Sequence, residues 1–359
     1  MLATVSGASL LYLQQAKFGK KPSGKRLERL KQSKNFVDGA FQNLSNTPAL
    51  TEGYNYAKVA SELMFNKKER RTPKQAIPNV KTNLINLPKH ENVLVWFGHS
   101  SYFLQIEGIS ILVDPVFSGN ASPIPGSVKS FKGADAYQVS DLPEIDLLLI
   151  SHDHYDHLDY ETIRQIKPKI KSIICGLGVG EHFEHWGYDA KIIHEKDWNE
   201  KVEINHKLII YTAPARHFSG RSFKRNNTLW LSFILKTPTL NLYLGGDSGY
   251  DSHFAEIGEE FGPFDLAILE NGQYDEKWKY IHMQPAEVLQ ASKDLGAKRL
   301  FPVHSSKFKL ANHAWDEPLS KISQLNQNKE TELVTPKIGE LVNLSNPKQV
   351  FTAWWESIK

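Results

Sequence analysis

Ser151-His152-Asp153-His154-Tyr155-Asp156-His157-Leu158-Asp159 puts three histidines and three aspartates into nine residues. The stretch leaves Leu147-Leu148-Leu149-Ile150, a short apolar run that reads as a buried strand. A tight loop at such a strand end turns His152 and His154 to one point, and Asp156 and His157 to a neighbouring one. Imidazole and carboxylate are the ligands that zinc, iron and manganese take. The other reading is a polar surface loop, and it leaves the density of histidine unexplained.

Working outward, Val93–Phe97, Ser101–Ile106 and Ser110–Val113 alternate with tight turns and read as a β-meander. Ser172–Cys175, Lys191–His194, Leu208–Tyr211, Leu229–Leu235 and Leu240–Leu244 are further strand candidates. Helices are expected at Thr51–Phe65, Tyr160–Ile166, Val179–Trp186, Gln284–Leu295 and Pro318–Gln327. Strands in two blocks, each followed by helices, fit two packed sheets with helices outside. Three zones follow: residues 1–85 as a basic arm with helical segments, 86–345 as the sandwich body, and 346–359 as a tail carrying Trp354 and Trp355. Cys175 lies in an apolar run and is expected in the core. His99 reads equally as a structural histidine or as one that orients a ligand, and Asp114 equally as a turn cap or a partner of a ligand. His182, His185, His194, His206 and His253 lack a strand-end setting and are expected to pack or to lie on the surface.

The H-x-H-x-D-H pattern resembles the signature of the metallo-β-lactamase superfamily across roughly residues 90–345. The resemblance implies an α/β fold: an αββα sandwich of two mixed sheets with helices on both outer faces. It also implies ligands at later strand ends, and His217, Asp247 and His304 stand in the right order. On this basis His152, His154 and His217 hold one divalent ion, Asp156, His157 and His304 the second, and Asp247 bridges them. Zinc is the first expectation, with iron and manganese as alternatives. Two such ions roughly 3.5–4 Å apart share a hydroxide and lower its pKa.

Trp96-Phe97-Gly98-His99-Ser100-Ser101, Ile111 to Ser118, Gly262-Pro263-Phe264-Asp265-Leu266-Ala267, Tyr274, Trp278, His282 and Pro285 look like the N-acyl-phosphatidylethanolamine phospholipase D family and its bacterial relatives. The implied reaction is hydrolysis of a lipid phosphodiester by the bridging hydroxide. Asp156 ligates, orients the nucleophile and passes on a proton. His282 is the implied pocket histidine near the leaving group, and Tyr155 and His313 are implied substrate contacts. Mammalian members carry a polar and an aromatic residue after the match to Ala121-Ser122-Pro123, where this chain reads Ile124-Pro125-Gly126, so headgroup preference does not transfer. A lactonase on the same scaffold and a non-catalytic membrane-associated binding protein are the alternatives. A nuclease lacks its RNA-gripping arm here, and a true β-lactamase does not match these motifs.

Composition agrees with a folded chain: 40% of the 359 residues are hydrophobic and 23% charged, which excludes general disorder. A net charge of +3 does not predict a nucleic-acid partner. The single cysteine excludes an intrachain disulfide and a cysteine-built zinc site. The apolar Met1–Leu13 is too short to cross a bilayer. The basic run Lys17–Lys34 after it suits peripheral contact with an anionic membrane. The expected compartment is the bacterial cytoplasm or its membrane surface. The expected partners are a phospholipid or small phosphodiester and, by family likeness, a second copy of the chain.

Overall fold

The computed structural model describes residues 11–65, 68–222 and 224–358; most of the apolar Met1–Leu13 stretch lies outside them. The first sheet contains β1 (Val93–Trp96), β2 (Tyr102–Ile106), β3 (Ile109–Val113), β4 (Leu147–Ile150), β5 (Ile173–Gly176) and β6 (Ile193–Lys196). The second contains β7 (Lys201–Asn205), β8 (Leu208–Ala213), β9 (Ser232–Lys236), β10 (Asn241–Leu244), β11 (Leu266–Glu270), β12 (Arg299–Val303) and β13 (Glu332–Leu333). The chain then returns, and β14 (Leu341–Asn343) pairs antiparallel with β1. Both sheets are mixed and share one plan. From one edge inward the pairings are antiparallel, as in β14-β1-β2-β3 and β7-β8-β9-β10, and the remaining three strands of each continue in parallel.

Alternation along the strands builds the four layers. Leu147 and Leu149 join Leu94, Trp96, Leu104 and Ile111 between the sheets, facing Phe233, Leu235, Leu242 and Ile268. Their neighbours Leu148 and Ile150 turn outward onto Ile163, Ile166 and Phe183, which belong to α3 (Tyr160–Ile166) and α4 (Gly180–His185). On the other side Ile234, Tyr243, Ala267 and Leu269 pack against Phe254, Ile257, Val288 and Ile322. These come from α5 (His253–Phe261), α6 (Pro285–Asp294) and α7 (Glu317–Leu325). The result is the expected αββα sandwich. Cys175 is buried on the outer face of the first sheet.

The arm and the tail both pack on this body. Helix α1 (Gly24–Leu30) precedes α2 (Tyr56–Phe65), the helix expected from residue 51 onward. Arg26 of α1 pairs with Glu181, Glu184 and Glu195. Trp354 and Trp355 are buried in the cluster between the sheets. The strand expected at Leu229–Leu235 starts later, at Ser232, because Leu229 N is spent on Leu177 O and Leu231 N on Ser151 O. No helix among the described residues is long and apolar enough to cross a membrane.

Candidate metal centre

Parallel strands deliver their carboxyl ends to one edge of the sandwich, where open α/β sheets place their ligands. The motif loop leaves β4 there, His217 follows β8, Asp247 follows β10 and His304 follows β12. His152 Nε2, His154 Nδ1 and His217 Nε2 meet: the first two lie 2.8 Å apart and the last two 3.3 Å apart. Asp156, His157 and His304, with His99, form the neighbouring cluster. Asp247 lies between them. Its Oδ2 is 3.1 Å from His157 Nε2, 3.8 Å from His217 Nε2 and 3.9 Å from His152 Nε2, and its Oδ1 is 3.2 Å from His304 Nδ1. All seven residues singled out in the sequence thus converge.

The far side of each ring tests whether a cation fits. Ser151 Oγ donates to Asp114 Oδ2 (2.5 Å), leaving its lone pair for His152 Nδ1–H at 3.0 Å. His157 Nδ1 donates to Asp114 Oδ2 (2.8 Å), and His217 Nδ1 donates to Ile281 O (2.9 Å). Committing Nδ1 as the donor leaves Nε2 as a bare lone pair. Two such atoms, His152 and His217 Nε2, both face His154 Nδ1, which carries at most one proton to share between them, and His157 Nε2 faces Asp247 Oδ2. A cation among these atoms would satisfy all of them at once. The donor set therefore fits divalent metal.

Burial sets the protonation states. It pushes His152, His217 and His304 well below the usual imidazole value and His154 down to about 4, the neutral form that ligates. For His157 burial acts the same way, but the carboxylates of Asp247, Asp156 and Asp114 together outweigh it and raise the ring. Burial pushes Asp247 up to about 6. Asp156 feels burial too, yet His157 and the hydrogen bond from His99 hold it well below the usual carboxylate range.

His99 resolves into a partner of a site carboxylate: its Nε2 donates to Asp156 Oδ2 at 2.8 Å. Its backbone donates to Ser305 O, and its carbonyl accepts from His304 N, so loops from the two sheets are tied at this point. His99, Asp114, Gln273, His304 and Ser306 all have positive φ, a cluster of costly backbone at the site edge. Gly246 also has φ +60°. The neighbours that exclude a Cβ there are Ser151 Cβ at 2.9 Å and Leu231 O at 3.2 Å, so the glycine serves close approach of the loops.

Asp153, between two ligating histidines in sequence, points away. It accepts from Gly220 N (2.7 Å), Thr228 Oγ1 (2.9 Å) and His182 Nε2 (3.2 Å), which gives His182 its packing role. Tyr155 donates its hydroxyl to Arg221 O at 2.6 Å, under the Arg221 guanidinium. His313 accepts from Gln273 N through Nε2 and donates to Ala314 O through Nδ1. The polar atoms of both side chains are occupied by backbone. His282 stands beside the centre, its ring 5.1 Å from His217 and stacked 5.2 Å from His304. Sequence reading passed over Glu270, which ends β11, is fully buried and lies 2.5 Å from His282 Nδ1. The signal was present: Leu266-Ala267-Ile268-Leu269-Glu270 has the same form, apolar strand then polar group, as the runs into His152 and Asp247.

A model described as beta-lactamase superfamily domain matches residues 110–305, from β3 through the loop carrying His304. An uncharacterized protein of Mycobacterium tuberculosis is 35% identical over 90% of this chain and 88% of its own length. The N-acyl-phosphatidylethanolamine-hydrolyzing phospholipase D 1 of Caenorhabditis elegans is 31% identical over 70% of this chain and 75% of its own. Among solved structures, a metallo hydrolase from the archaeon Ignicoccus hospitalis shares the fold, with TM-score 0.54, 19% identity, and coverage of 70% of this chain and 97% of that one. The chain belongs to the beta-lactamase superfamily, as a metal-dependent hydrolase of the metallo-β-lactamase fold.

Proposed function

We propose that the chain is a two-metal phosphodiesterase acting on a phospholipid of the N-acyl-phosphatidylethanolamine class or a close relative. One observation carries the reading: lone pairs of His152, His154 and His217 converge on one side of Asp247, and Asp156, His157 and His304 gather on the other. The first three would hold one ion, the second three the other, with Asp247 between them. Bound there, a pair of divalent ions supplies a water acidic enough to attack at neutral pH and charge to neutralise the phosphoryl oxygens. Imidazole mixed with carboxylate suits zinc, iron or manganese.

The protein's own part is positioning and proton handling. Asp156, held by His99, keeps a fixed carboxylate at the nucleophile's side. His282 stands where a leaving group would depart. Support for the phosphodiester comes from the C. elegans relative, whose name states hydrolysis of that lipid.

Protein purified without chelator is expected to carry two ions per chain by elemental analysis, and His154→Ala to lose metal and activity together. A panel of bis(p-nitrophenyl) phosphate, N-acyl-phosphatidylethanolamine, a lactone and a cephalosporin then tests the substrate. Turnover of both diesters is expected. Brisk lactone hydrolysis without diester hydrolysis would overturn the substrate class, and metal-free active protein would overturn the centre.

A further inference from the structure

Glu270 is a fully buried carboxyl whose two oxygens are both engaged. Oε1 accepts from Met283 N at 2.8 Å, and Oε2 lies 2.5 Å from His282 Nδ1. The other four residues of β11 are Leu, Ala, Ile and Leu, all buried. A purely structural residue at this place would be cheaper as one more aliphatic side chain, because a buried carboxyl destabilises the fold unless its partners hold it. Backbone N–H groups of Met283 and Ser248 hold the carboxyl, with Oε2 facing His282 Nδ1. His282 lies on the segment just before the capping box of α6, and its Nδ1 edge meets that oxygen. The opposite edge then faces the centre, with His304 stacked on one side of the ring and His217 set edge-on to it.

We propose that Glu270 is a positioning residue: it grips His282 by Nδ1 so that Nε2 is presented to the substrate beside the two metal clusters. The kinetic consequence rests on the phosphodiesterase reading; the structural one does not. On this account Glu270 turns its oxygens to Met283 N and His282 Nδ1 rather than to a metal, although Asp247, Glu270, His282 and His304 offer ligand atoms within 4.8 Å of one another.

The test is Glu270→Gln in the full, zinc-loaded chain. Met283 N–H retains the amide oxygen, so the amide NH2 must face His282 Nδ1 and displace its proton. Imidazole NMR of histidine-labelled protein is expected to show a protected His282 Nδ1 proton, identified by its absence in His282→Gln, that disappears in Glu270→Gln. Metal content stays at two ions, and kcat on a diester falls about ten- to hundredfold with KM little changed, the scale seen for groups that orient site histidines. The double variant should be no slower than His282→Gln alone. A persisting Nδ1 proton, loss of an ion, or additive rate losses would each overturn the proposal. If Glu270→Gln does not fold, Glu270→Asp withdraws the carboxylate from Nδ1 and must weaken the same signal. Should the wild type cleave no phosphodiester, the proposed function fails, while the Nδ1 signal still decides the role of Glu270.

Discussion

Asp114 illustrates how much of the centre is decided by groups that touch no substrate. Its Oδ1 accepts from Ser151 N at 2.8 Å, and its Oδ2 accepts from both Ser151 Oγ and His157 Nδ1. One carboxylate therefore sets the tautomer of His157 directly and that of His152 through the serine. In Asp114→Asn an amide that keeps its oxygen on Ser151 N turns its NH2 towards His157 Nδ1–H, donor against donor. His157 must then lose that proton or swing away, and Nε2 ceases to be a free lone pair. Affinity for the ion on the His157 side should fall about ten- to hundredfold, with the His152–His154–His217 side affected less. A competition titration resolving two sites checks this; equal, unchanged affinities would contradict it. The histidines themselves were legible in the sequence because six residues of motif carry them. Their partners were not: Asp114 is 43 residues from His157, and Ile281 is 64 from His217. Nor does sequence order distinguish Asp153, drawn away to Gly220, Thr228 and His182, from the ligating residues on either side.

The arm shows the same limit for whole elements. Lys17–Lys34 reads as a solvated or membrane-facing charge run, yet α1 lays Arg26 into three carboxylates, with Glu181 and Glu195 largely buried. Glu195 Oε1 in turn accepts from Gly178 N and Gly180 N at the start of α4, so the ion pairs hold a helix of the first sheet. Lys20, Lys21, Lys25, Arg29, Lys31 and Lys34 stay exposed, so only Lys17 and Arg26 of the basic run are drawn in. Arg26→Ala leaves buried Glu195 without its ion pair and Glu181 with Lys20 alone, and should destabilise the fold by about 3 kcal/mol. Burial alone would raise Glu181, but Arg26 and Lys20 outweigh it and depress it. A depressed carboxyl contributes stability above its unfolded pKa, about 4.3, and loses it as pH falls through the folded value. The gap between wild type and Arg26→Ala in urea unfolding should accordingly be full at pH 7 and narrow below about pH 4; a pH-independent gap would refute the pairing as its source. Apolar strands such as Leu147–Ile150 and the helix Tyr160–Ile166 were readable to the residue. Edge strand β7 was not: Val202 and Ile204 alternate with exposed Lys201, Glu203 and Asn205 and pack on the core, but two half-buried apolar residues in five are too few to stand out in the sequence.

At the scale of the molecule, the centre is also a joint. His152, His154, Asp156 and His157 leave the first sheet, whereas His217, Asp247 and His304 leave the second. Between the sheets lies apolar packing completed by β14 and by Trp354, whose indole donates to Pro336 O at 3.2 Å. Ions shared between the clusters would cross-link the two sheets at their open edge, where imidazole lone pairs otherwise face one another. Ligand linkage gives each ion about 2.7 kcal/mol of stabilisation at a hundredfold excess over its Kd, provided the unfolded chain does not bind it. Removing metal with a chelator should thus lower Tm, and the Tm of the reconstituted protein should rise with free metal concentration. His217→Ala, which deletes one ligand of the second sheet, should flatten that dependence, and the chelated protein should lose some stability too, because the ring fills buried space and its Nδ1 holds Ile281 O. Scanning calorimetry across a metal series distinguishes this from a metal bound at the surface, for which His217→Ala would leave the slope of Tm against metal unchanged.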